Sequence, residues 1–149
     1  MGADLYIGLV FKPKYRKWSG HFEKAVAKRD ASPQGTPERK FWDERADEYF
    51  DQMYGAGYFR DSYNPSNVLW QFGLSWWNDV TPMLDEEYHL SVAKTKSLLE
   101  MLRDRAHIFE ENLAELPANE RQYFRDRANK LLTFLQMAIN LDSPIQCSL

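Results

Sequence analysis

Apolar side chains recur three and four residues apart along most of the chain, the period of a helix that buries one face. Phe11, Tyr15, Trp18, Phe22 and Ala25 form the first such stripe and predict a helix from near Pro13, a good first-turn residue, to about Asp30. Ala31-Ser32-Pro33-Gln34-Gly35 interrupts it, and Thr36-Pro37-Glu38 restarts a helix with a capping hydroxyl, a first-turn proline and an acid. Trp42, Ala46, Tyr49, Met53 and Ala56 keep the same spacing, and Gly55 and Gly57 end the helix. The short connection predicts that helices one and two fold into an antiparallel hairpin.

A third helix is expected from Asn64-Pro65 to about Val80, stopped by Pro82. Leu69, Phe72, Gly73, Trp76 and Val80 make one apolar face and Trp70, Leu74 and Trp77 a second, leaving Gln71, Ser75 and Asn78 as a narrow polar stripe. A helix apolar nearly all round is normally buried. Ser91 is a fitting cap for helix four, whose seam runs through Leu99, Leu102, Ala106, Phe109, Leu113 and Leu116. Pro117 interrupts the seam, and Asn119 with Gln122 resembles a capping box for helix five, carried by Phe124, Ala128, Leu131, Leu135 and Ala138. Strand-like alternation is confined to the ends: Leu5, Ile7 and Leu9 within Ala3–Val10, and Ile145, Cys147 and Leu149 within Ser143–Leu149. Together these elements predict one all-α domain over residues 1–149. It is a four- to five-helix bundle of two antiparallel hairpins, with a short buried aromatic helix between them and at most a minor pairing of terminal strands.

Composition narrows the class. The chain has 149 residues, 44% hydrophobic and 28% charged, close to the globular average, which indicates neither disorder nor a membrane protein. Asp4 before the apolar Leu5–Phe11 stretch, with no basic residue ahead of it, argues against a signal peptide, so the default location is the cytoplasm. Cys147 is the single cysteine, which rules out an intrachain disulfide and a cysteine-rich zinc site. The net charge of -3 hides an asymmetry. Residues 12–45 carry ten Lys/Arg against five Asp/Glu, whereas residues 46–149 carry nine against sixteen.

The densest candidate chemistry lies in Met53–Val80, where eight aromatics fall in 28 residues of a chain that is 15% aromatic. Tyr58, Arg60, Asp61, Tyr63, Asn64, Asn67, Trp70 and Trp77 combine hydrogen-bonding groups with large apolar rings, the chemistry of a recognition surface or pocket. The plain structural reading makes the tryptophans core and lets Arg60 and Asp61 satisfy backbone groups.

Other constellations are weaker. Asp104, His107 and Glu111 share a helical face, but they lack the paired Glu-x-x-His elements of di-iron bundles, and neither a metal nor another cofactor is expected. Lys14, Lys17, His21, Lys24 and Lys28 form a basic stripe on helix one. Neutralisation by Asp43, Glu44, Asp47, Glu48 and Asp51 of helix two, with a pI near 5.6, makes nucleic-acid binding an unfavoured reading. Glycine-rich phosphate loops, a Gly-x-Ser-x-Gly elbow and His-Glu-x-x-His are all absent from the sequence.

Two function classes follow. The favoured one is a non-enzymatic protein-interaction factor, accessory or inhibitor-like, that presents residues 58–77 to a protein partner. In one version a second copy covers the surplus apolar surface of the third helix, giving a homodimer. The alternative is a small-molecule-binding or enzymatic helical bundle with an aromatic-lined pocket.

Overall fold

The protein's structure, a computed structural model, describes residues 2–62 and 67–149. Of the described residues 69% are helical, and a four-stranded sheet accompanies them, so all-α overstates the fold. Two compact units form: one from Leu9–Tyr58, the other from the flanking segments up to Gly8 and from Phe59 onward.

The larger unit is built on the sheet, in the order β2-β1-β4-β3. β1 (Gly2–Tyr6) and β4 (Ile145–Ser148) pair antiparallel with Leu5 opposite Cys147, and β3 (His89–Leu90) pairs antiparallel with the far side of β4. The terminal alternation therefore does produce strands. Ala3, Leu5, Ile145 and Cys147 turn to one side and are buried, the period-2 signature of a half-covered sheet. β2 (Tyr58–Ser62) occupies the edge beside β1. Gly2 permits this approach, because a Cβ there would come within 2.5 Å of the Asp61 carbonyl oxygen. Two backbone carbonyls of β2 are covered: Arg127 Nη2 donates to Arg60, and Asn67 Nδ2 donates to Ser62 at 2.5 Å.

Helices complete this unit. The seam expected of helix four holds in part: it is divided into α4 (Val92–Asp104) and α5 (Ala106–Ala114) at Arg105, Ala106 at the break is exposed, and Leu116 lies beyond α5, half-buried. Leu98, Leu99, Leu102, Phe109 and Leu113 nevertheless stay buried across the break. Ser91 caps α4, its hydroxyl accepting from Lys94 N at 3.2 Å. The long C-terminal helix α6 (Ala118–Asn140) packs against α4 and α5 and buries Phe124, Ala128, Leu131, Phe134, Leu135 and Ala138. Its expected capping box is absent: Pro117 occupies the cap without a side-chain hydrogen bond, and Gln122 bonds instead to Asp126 at 2.9 Å.

The smaller unit is the expected hairpin, α1 (Gly8–Ala31) and α2 (Pro37–Tyr54). α1 begins five residues before Pro13, which therefore lies inside the helix. Thr36 caps α2, accepting from Arg39 N at 3.3 Å. Phe22 meets Phe50, Trp18 stacks on Tyr49, and Phe11 and Tyr15 meet Tyr54, which fixes the antiparallel pairing. Across the hairpin one ion pair forms among the described residues, Arg29–Asp43 at 3.4 Å. The α1 basic stripe is thus not neutralised by α2. Lys17 and Lys28 lie over the Trp18 and Trp42 rings instead.

Candidate functional site

The segment Val68–Met83 departs most from expectation. One helix ending near Val80 is replaced by α3 (Val68–Gln71), a sharp break, a π-helical turn (Trp76–Val80) and a 3-10 turn (Thr81–Met83). Side chains impose each boundary. Asn67 Oδ1 accepts from Trp70 N at 2.6 Å and opens α3, while Gly73 takes the left-handed φ of 73° that ends it. Ser75 Oγ accepts from Asn78 N, and Ser75 N donates to Asp79 Oδ2 at 2.7 Å, closing a reciprocal cap on the second turn. Asn112 Nδ2 donates to the Gln71 carbonyl at 2.9 Å, tying the end of α3 to α5.

Asp61 is the hub beneath this segment. Its carboxylate accepts from Val68 N at 3.2 Å, Leu69 N at 3.3 Å and Trp76 Nε1 at 2.8 Å, and the residue is 8% exposed. Burying a carboxylate is costly unless donors surround it, and here three do. The arrangement locks Trp76 into the core, where it is 1% exposed, and Val68, Leu69, Leu74 and Val80 of the same segment are buried as well.

The expectation of a wholly buried aromatic helix fails at two rings. Trp70 is 50% and Trp77 64% exposed. Because the segment is bent, its apolar residues split between a sealed set and these two outward rings.

The candidate residues therefore divide. Trp70 and Trp77 are accessible rings, whereas Asp61 and Asn67 are buried supports of the backbone that carries them. Arg60 is exposed, with Nε 3.7 Å from Asp4 Oδ1. Tyr58 sits in the smaller unit's ring cluster, 4.9 Å from Tyr54 and 6.0 Å from Phe11. Tyr63 and Asn64 lie outside the described residues. Ser75, Asp79 and Asn112 escaped the sequence reading. Ser75 with Asp79 has a local signature in retrospect, but Asn112 bonds 41 positions away and has none.

Phe72, at the break, also floors a groove of about 330 Å³ with Leu102, Ala106, Phe109 and Leu132. The Phe72 and Phe109 rings stack 4.5 Å apart, and the Arg125–Glu110 pair at 2.9 Å lies on the rim. Asp104, His107 and Glu111 do not converge into a three-ligand metal cluster, and no such cluster exists among the described residues. No described helix is long and apolar enough to cross a membrane.

Cys147 is inert by its surroundings: burial pushes its thiol up to about 12 from an ordinary 9.0. The native thiol is expected to resist alkylation at pH 8, reacting at full rate only in denaturant. The raised pKa means that the neutral thiol is what the fold accommodates. Its stabilising contribution is whole below pH 9 and lost as pH climbs toward 12, which thermal unfolding of wild type and Cys147→Ala across that window would measure.

What this geometry defines is a mixed helical and sheet protein that displays two tryptophans on a buttressed, irregular segment. Compared with known proteins, the chain matches no protein-family model, no curated protein and no solved structure.

Proposed function

We propose that the protein is a non-enzymatic interaction factor, accessory or inhibitor-like, that engages a protein partner through Trp70 and Trp77. The observation that carries this reading is the exposure of those two rings, 50% and 64%, on a backbone pinned by Asp61, Asn67 and the Ser75–Asp79 cap. Folding gains little from tryptophans held in water, whereas interface hot spots are enriched in Trp. A segment already fixed in place also avoids the ordering cost that a flexible loop would meet on binding.

The test is reconstitution. Proteins that co-purify with the wild type are identified, purified and titrated against wild type and against Trp70→Ala/Trp77→Ala. The double variant is expected to lose at least about 30-fold in affinity while its thermal stability changes by less than about 1 kcal/mol. Equal affinity in a folded double variant would contradict the proposal. The alternative class, a small-molecule-binding or enzymatic protein, draws support from the stacked Phe72–Phe109 floor of the 330 Å³ groove. A ligand that raises the melting temperature of wild type but not of Leu132→Trp would favour it.

A further inference from the structure

The hairpin unit poses a separate problem. Over Leu9–Tyr58 the buried apolar side chains are only Ala25, Ala46 and Met53, while Tyr15 and Phe50 stand 40% and 46% exposed. Those two rings belong to one aromatic ladder, in which Phe22 meets Phe50, Phe50 meets Tyr54, and Tyr54 meets Tyr15. Two helices have two stripes to bury, and a second layer normally finishes such a unit.

Charge indicates what the second layer is. α1 carries seven Lys/Arg against two Asp/Glu, and α2 three against six. Lys12 and Arg16 follow Phe11 and Tyr15 directly, so they lie about 100° around α1 from the ladder. Asp51 follows Phe50 and Asp47 precedes it by three, which puts both acids on the same side of the ladder on α2. All four side chains are exposed, and none has an ion pair or hydrogen bond among the described residues. The ladder is therefore flanked by two unpaired cations on one helix and two unpaired anions on the other.

We infer that the ladder face of the hairpin docks on the same face of a second copy of this chain, forming an antiparallel four-helix bundle between protomers. A two-fold axis along the hairpin sets α1 of one protomer against α2 of its partner. The contacts of Phe11 and Tyr15 with Tyr54 place Lys12 and Arg16 at the level of Asp51, so the rotation brings cations onto anions twice. A purely anionic partner, such as a nucleic acid, would meet the α2 acids on this same face and be repelled.

Sedimentation equilibrium of the full chain over a wide concentration range tests this. Wild type is expected to dimerise, and Phe50→Glu to raise the dimer dissociation constant at least about 30-fold. Lys12→Glu/Arg16→Glu and Asp47→Lys/Asp51→Lys are each expected to be monomeric alone and to form a heterodimer when mixed, since each supplies the sign the other lacks. Substitution at four exposed positions leaves folding intact, which circular dichroism checks. A wild type that stays monomeric, or a dimer indifferent to both charge reversals, would overturn the inference. So would a dimer lost in Trp70→Ala/Trp77→Ala but not in the charge variants, which would instead assign self-association to the tryptophan surface.

Discussion

Asp61→Ala is expected to destabilise the protein by about 3–5 kcal/mol in denaturant unfolding, because removing one buried acceptor strands several donors at once. The Trp76 indole and the Val68 and Leu69 amides all lose their partner at a site 8% exposed. No other described side chain at the candidate site accepts from as many buried groups. Asp61→Asn keeps the shape and one carbonyl oxygen, and should cost about 1–2 kcal/mol. Arg60→Ala, one residue away but exposed, should stay within about 0.5 kcal/mol of wild type. A near-neutral Asp61→Ala would mean that the segment bearing Trp70 and Trp77 is not held from below, and the case for a fixed contact surface would weaken with it.

Ile145→Ala should cost a comparable amount, about 2–5 kcal/mol, the range for truncating a fully buried aliphatic side chain. Ile145 is 0% exposed and stands opposite Leu90 in β4, the strand that joins β1 to β3. Loss of packing there loosens both neighbours, so amide exchange should rise in β1 and β3 as well as in β4. Unchanged protection in β1 and β3, with a loss below about 1 kcal/mol, would show that the termini are not integral to the core.

Helical periodicity was legible wherever a stripe stayed apolar for four or more turns, as in α1, α2 and α6. The β1–β4 pairing was legible too, because both termini alternate. β2 was hidden for a physical reason: its two inward side chains are Phe59 and Asp61, and a buried carboxylate does not read as a hydrophobic position. β3 has two residues and leaves no periodic trace. The break in the α4–α5 seam falls at Arg105, with neither glycine nor proline to mark it.

The middle segment misled for the opposite reason. Its apolar residues fit a continuous helix, but Asn67, Gly73 and Ser75 cut it into short turns, and local hydrogen bonding by Asn and Ser competes with helix propagation. That competition decides the candidate site, since it turns Trp76 inward while Trp70 and Trp77 remain in water. Asp61 and Asn67 resemble binding groups because composition cannot distinguish a polar side chain facing solvent from one that bonds to groups three to fifteen residues away.

Hydrogen exchange of the tryptophan indoles, followed by NMR with assignments from single Trp→Phe variants, separates the sealed ring from the two displayed ones. The Trp76 Nε1–H, donated to Asp61, should exchange orders of magnitude more slowly than those of Trp70 and Trp77, which should exchange near the rate of a free indole in the uncomplexed protein. Protection of Trp70 and Trp77 equal to that of Trp76 would show all three rings sealed inside the fold, and the proposed contact surface would not exist.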